Sequence, residues 1–554
     1  MTFDHEYGMW DAAYVLGSLS DSDYREYETH LDECPLCQDS VTELSEMPAV
    51  LSLLDQEDFT EPDLESTDVT AAIDSELSRS LAAAGVVHRA NGAQDHRKSH
   101  AAVAVIQPPE TVFGVFRPGN YAPVPDELTA FDLPVDGYIP PELNGWYLRN
   151  GPNPREAGGH WCTGDGMVHG VRLENGRAAW YRNRWVRTES FDRPLPLFNP
   201  DGSRNLHSSA ANTHVIRHAG KTLALMDTAL PYELTPDLDT LGAYDFAGKL
   251  IDSMAPHPKV CPVTGELHFF GYGDLSHPHI NYYRAGADGA VQVRRPIDVP
   301  GLTLMHDFAL TAQHVVFLDL PLVFNPQVAL TRPIERDLPY RWDDDYGARL
   351  GVLRRDDPFG PVRWFDINPC YVFHVANAFD VASAQGDAIV MQVVRYPEIW
   401  RGNSDFETDA ALWRWTIDLN TGVVQEVQLD DRDIEFPRVD DRRVGAQARY
   451  AVAVGTDGLV RYDLARDSAE VHRFGVNGMA GAPDEAVFAP APGYTDESAG
   501  WYLTYVYSPV RKCSELVILS ASEFDAEPVA RVRLPRRVPH GFHGSWIPDR
   551  AGTV

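Results

Sequence analysis

From about Asn120 to its C-terminal end the chain is a succession of short β-prone runs, and this stretch of over 400 residues most limits what it can fold into. Val315–Leu318, Ala388–Val394, Tyr450–Val454 and Trp501–Tyr507 are such runs. Turn signals stand between them: Asp201-Gly202, Asp288-Gly289, Asn420-Thr421-Gly422 and Asp457-Gly458. Glycine supplies the positive φ that tight hairpins need, while β-branched and aromatic side chains suit a pleated surface. No long helical period intervenes, so one all-β assembly of many short strands is expected. A β-propeller holds that length without one oversized core. No tight repeat of the motif-marked kind appears, and on periodicity alone a large sandwich or two β domains fit as well.

The N-terminal part has a different character. Residues 1–100 carry 22 acidic and 5 basic residues, a net of −17 that is half of the chain's −34. A charge of that sign repels a phosphate backbone and excludes direct nucleic-acid binding. Residues 8–54 read as helical. Ala12, Val15, Leu16 and Leu19 share a face, and Asp21 or Ser22 can cap a second helix through Tyr24, Tyr27 and Leu31. Residues 55–110 lose aromatics and gain acids, Ser and Ala, which reads as a flexible acidic linker with one short helix at 69–84. The expected domains are thus 1–54, the linker 55–110 and the β assembly 111–554. The acidic start lacks the pattern of a secretory signal, and no run approaches about 18 apolar residues, so a cytoplasmic setting is expected.

His30, Cys34 and Cys37 fall on the second predicted helix at offsets that bring all three to one face, within roughly 60°. Imidazole and thiolates at this spacing suit tetrahedral zinc, with a fourth ligand from elsewhere. His5 is the nearest candidate, and two buried cysteines beside a surface histidine is the plainer alternative. The stretch "MWDAAYVLGSLSDSDYREYETHLDECPLC" resembles the zinc-binding anti-sigma domain, including its HxxxCxxC signature. The resemblance implies Zn(II) at His5, His30, Cys34 and Cys37, and a helical surface able to hold a sigma factor. A structural or redox-sensing role is equally compatible with it.

There are 20 histidines, so only context separates a ligand from an ordinary side chain. Four stand beside strand-like runs: His257 in "APHPKVCPVTGELHFFGY", His306 in "MHDFALT", His374 in "CYVFHVANAFD" and His543 in "PHGFHGSW". Their intervals are 49, 68 and 169 residues, as separate blades delivering one imidazole each to an axis would require.

The segment from Asn120 onward resembles the carotenoid cleavage oxygenase family. "NYAPVPDELTAFDLPVDGYIPPELNGWYLRNGPNP" is followed by "HWCTGDGMVHGVRL" and then by the four histidine contexts in family order. The resemblance implies a mainly β fold, a seven-bladed propeller with Fe(II) on its axis, preceded here by the small helical zinc-binding domain. It implies iron ligands at His257, His306, His374 and His543, and carboxylates that orient them at Asp227, Glu435 and Glu485. Asp227 departs from the family's usual Glu, and one methylene less is expected to lengthen that hydrogen bond or admit a bridging water. Four neutral imidazoles suit ferrous iron and leave a coordination position open. No GxGxxG or P-loop calls for a further cofactor.

The implied activity is cleavage of a C=C bond with O2 to give two carbonyl products. Stilbene cleavers of the family have a Lys just before the first orienting carboxylate. Met226 stands there, and an apolar side chain suits a lipophilic polyene, so a carotenoid or apocarotenoid is expected over a hydroxystilbene. The runs "PLPLF" (194–198) and "VFLDLPLVF" (316–324) offer apolar residues for loose contact with the inner face of the membrane, although core packing explains them as well. The rival reading is a non-catalytic carotenoid or redox sensor that acts on a sigma factor through the N-terminal domain.

Overall fold

The computed structural model describes Asp21–Leu31, Cys34, Gln38, Val41 and residues 119–549, apart from 156–160, 202, 276–277, 333, 335, 384–385, 407 and 477–478. The chain divides between Glu110 and Thr111, and each part is taken by itself.

In the first part, helix α1 spans Asp21–Leu31. It begins at the predicted cap and buries Tyr27 completely. The Cys34 N–H donates to the His30 carbonyl at 3.0 Å, so these two predicted zinc ligands stand one helical turn apart. His5 and Cys37 lie outside the described residues.

In the second part the short runs form seven antiparallel blades of at least four strands each, among the described residues. In chain order the blades begin with the strands His214–His218, Lys259–Val260, Ala309–Leu310, Val375–Ser383, Ile434–Arg438, Ala482–Pro483 and Gly544–Pro548. Tight turns join neighbouring strands. Ala219 and Gly220, at φ 48° and 83°, close the hairpin of His214–His218 with Lys221–Leu225. That pairing of positive φ values matches the right-handed strand twist.

The ring is closed twice by residues from opposite ends of this part. Gly544–Pro548 is the first strand of the seventh blade and pairs with Gly145–Pro152. Val135–Gly137 is the last strand of the sixth blade and pairs with Ala530–Arg533. A single ring therefore replaces the sandwich and two-domain alternatives. Blades pack face to face through apolar layers, such as Tyr147, Val171, Leu503 and Leu516 between the sixth and seventh. Val316, Phe317, Leu318, Leu320 and Leu322 are buried in the core. Of the two readings of 316–324, core packing therefore holds over most of its length, since a strand buried on both faces reads as continuous hydrophobicity. No helix among the described residues is long and apolar enough to cross a membrane.

Candidate metal centre

Near the start of each blade an imidazole or a carboxylate stands at the centre. In order these are His214, His257, His306, His374, Glu435, Glu485, which follows the sixth blade's first strand, and His543. The four histidines singled out in the sequence converge, with ligand nitrogens within 4.8 Å of one another. His257 Nε2 faces His306 Nε2 at 3.0 Å, and His374 Nε2 faces His543 Nε2 at 3.1 Å.

The carboxylates sit behind them. His306 Nδ1 lies 3.0 Å from Asp227, His374 Nδ1 lies 2.5 Å from Glu435, and His543 Nδ1 lies 2.9 Å from Glu485. Each imidazole donates its Nδ1 proton to a carboxylate, which leaves Nε2 as a lone pair. Lone pairs facing each other at 3 Å repel unless a cation lies between them, so the donor set fits a divalent metal. The shorter Asp227 still reaches His306 directly, and no bridging water is needed. Burial opposes a charge on His306, but Asp227 outweighs it and the pKa is raised. Burial, followed by the neighbouring imidazoles, drives His257 and His543 well below the ordinary value.

The carboxylates are themselves held. Tyr272 O–H donates to Asp227 at 2.7 Å, and Tyr396 O–H to Glu435 at 2.9 Å. Glu485 accepts from the Gly544 N–H at 2.9 Å and from Arg438 at 3.1 Å. Two of them stand beside strained backbone. Thr228 follows Asp227 at φ 58°, and Phe436 follows Glu435 at φ 54°. The register of that strand shifts between Glu435 and Arg438. A bulge of this kind re-aims a side chain, here toward the axis.

His257 has no carboxylate partner among the described residues. Near it, and nearer still to the His543 ring at 5.3 Å, stands His214, which sequence context did not separate from the other histidines. His214 is buried, donates from Nδ1 to the Pro256 carbonyl at 2.8 Å, and lies 5.9 Å from the His257 ring. Its one signal in the sequence is its place at the head of a strand, in "ANTHV".

The centre is reached from two sides. A cavity of about 530 Å³ meets His306, His374 and His543 and is walled by side chains such as Leu197, Phe198, Leu304, Phe373 and Trp400. Met226 is part of that wall, with its sulfur 3.1 Å from the Ala210 N–H. A second, more polar vestibule of about 550 Å³ runs between the first strands and meets His214, His257, His374 and His543.

Seven blades carrying four convergent imidazoles, fronted by an apolar cavity, define a propeller metal site built for a lipophilic ligand. The family model described as RPE65, retinal pigment epithelial membrane protein, matches residues 121–548. The carotenoid cleavage oxygenase of Mycobacterium tuberculosis is 38% identical over 489 residues, covering 78% of this chain and 97% of its own length. Cobalt-substituted Synechocystis apocarotenoid oxygenase superposes with a TM-score of 0.68 at 25% identity, over 77% of this chain and 97% of that one. Pseudomonas brassicacearum lignostilbene dioxygenase superposes at 0.70 and 26% identity, over 81% of this chain and 100% of that one. The chain belongs to the carotenoid cleavage oxygenase family.

Proposed function

We propose that the chain is an Fe(II)-dependent dioxygenase that cleaves one C=C bond of a carotenoid or apocarotenoid with O2. The double bond breaks, each carbon receives one oxygen atom, and two carbonyl products leave, so no further reductant is required. The observation that carries this reading is the convergence of four imidazoles, three of which, His306, His374 and His543, meet an apolar cavity. Ferrous iron held by His257, His306, His374 and His543 supplies the redox-active centre that dioxygen needs to react with an electron-rich alkene. Asp227, Glu435 and Glu485 keep the Nδ1 protons in place, which fixes the tautomer and turns Nε2 toward the metal. The apolar walls orient the polyene and exclude water. Met226, where the stilbene cleavers have Lys, favours a polyene over a phenolate.

Anaerobic purification with ferrous iron supplied should give about one iron per chain, lost in His543→Ala. With an apocarotenal and isotope-labelled O2, both carbonyl products should carry the label. Zinc without iron under those conditions, or no cleavage by iron-loaded protein, would overturn the dioxygenase reading.

For residues 1–54 the reading rests on sequence alone: a helical anti-sigma-like module binding Zn(II) through His5, His30, Cys34 and Cys37, joined by the acidic linker 55–110 to the oxygenase part 111–554. It would tie a cytoplasmic enzyme, in loose contact with the inner face of the membrane, to a sigma factor. One zinc lost only in Cys34→Ala, together with capture of a sigma factor by the full chain, would support it. Zinc retained by Cys34→Ala would overturn the ligand set.

A further inference from the structure

Arg204 lines the apolar cavity that fronts the metal centre, and it is 7% exposed. Its two terminal nitrogens are fixed by neutral oxygens: the carbonyls of Leu197, Asn205 and Ser208, the last two at 3.1 Å, and the Thr228 hydroxyl at 3.2 Å. No carboxylate pairs with it, and its Nε makes no hydrogen bond, among the described residues. Burial pulls its pKa down to about 10, still far above neutrality, so the charge persists. A buried cation without a counter-ion is costly, and here the loop that holds it leaves its charge unneutralised.

Tyr340 stands in the same cavity, and its hydroxyl makes no hydrogen bond among the described residues. The two groups feel each other electrostatically, although Asp227 acts on Tyr340 more strongly than Arg204 does. Three of the cavity's four acids are engaged elsewhere. Asp227 and Glu435 serve His306 and His374. Asp433 accepts from the Ala410 N–H at 3.1 Å, and Asp409 is exposed.

We propose that Arg204 and Tyr340 form an end-group site that takes the carboxylate of an acidic polyene, making the preferred substrates apocarotenoids that end in an acid. The inference rests on the carotenoid-cleaving reading of this cavity. The immobilised guanidinium supplies a fixed charge with its Nε–H, and the phenol supplies a second donor. A carboxylate meeting both would make charge-assisted hydrogen bonds in an otherwise apolar wall, where they are strongest.

The test is binding to the full chain, read by quenching of protein fluorescence, with all-trans retinoic acid and all-trans retinol as probes. They share one hydrocarbon skeleton and differ at the end group. The acid is expected to bind at least tenfold more tightly than the alcohol. Arg204→Met and Tyr340→Phe should each weaken the acid severalfold or more and leave retinol within twofold. Equal affinity for acid and alcohol in the unaltered protein, or variants that weaken both probes alike, would overturn the proposal. Should Arg204→Met fail to fold, Tyr340→Phe, which lacks one hydroxyl, carries the test alone. Cleavage of apocarotenals and of acid-ended apocarotenoids is measured on the same preparations. Iron-loaded protein that selects the acid yet cleaves no polyene would sink the dioxygenase reading and leave this site standing. Cleavage without acid selectivity would do the reverse.

Discussion

Among the four imidazoles His257 alone lacks a carboxylate partner among the described residues, so its orientation depends on the backbone that carries it. His214 holds that backbone through the Pro256 carbonyl at 2.8 Å. His214→Ala should lower metal affinity roughly tenfold, the low end for groups that support a ligand from behind. His214→Asn, which places an amide N–H near Nδ1, should restore most of it. Iron retained on dialysis against a chelator reads the difference, and unchanged retention in His214→Ala would show that Pro256 holds itself. On the opposite ligand, Tyr272→Phe removes the donor to Asp227 but leaves the contact with His306. Its iron loss is expected to be smaller than that of Asp227→Ala, measured by metal analysis of both proteins. Four of the histidines were legible in the sequence because each sits beside a strand-like run, and the three carboxylates followed from the family resemblance. His214, Tyr272 and Arg438 were not, since their roles come from chain segments far away in sequence.

At the level of elements, the heads of the first strands do the positioning, and small residues there have no slack. A Cβ on Gly541 would lie 1.5 Å from Arg149 Nη1 and 2.9 Å from the Asn150 carbonyl. Arg149 is 1% exposed, reaches the Pro539 carbonyl at 2.5 Å and faces Asp484 at 3.6 Å, so it has little room to move. Gly541→Ala is therefore expected to cost about 1–3 kcal/mol of stability by overpacking. Because Gly541 is two residues from His543, iron content should fall as well. Calorimetry and metal analysis on one sample check both, and an unchanged melting temperature would mean that Arg149 swings aside freely. Turns such as Asp288-Gly289, where Gly289 stands at φ 84°, were readable from the chain because they are decided within four residues. The bulge at Glu435 was not, since it depends on register with the neighbouring strand.

For the molecule as a whole, stability should depend on pH through histidines buried in their neutral form. Burial, followed by Arg355 and Arg284, drives His268 down to about 2. Burial likewise places His169 well below the ordinary value and lowers His472. A depressed folded-state pKa contributes stability that is fully present above the unfolded value of about 6.5 and is lost as pH falls toward the folded one. The melting temperature should accordingly hold at neutral pH and fall as pH drops through about 6.5 toward 5. His268→Gln, which cannot take up that proton, should show a shallower fall, and an identical slope would remove His268 as a cause. By itself the sequence determined the all-β class, turn positions and the contexts of the four histidines, because those are properties of short segments, while the carboxylates behind three of them came from the family resemblance. The zinc set at the other end rests on His5 and Cys37 as much as on His30 and Cys34, and the first two lie outside the described residues. Only the tertiary structure decided that the ring closes with Gly544–Pro548 on Gly145–Pro152, that His214 bonds the Pro256 carbonyl beside His257, and that Arg204 lines the cavity with no carboxylate partner among the described residues. Strand pairing and cavity walls join residues hundreds of positions apart, and no local pattern encodes which of many similar strands will meet.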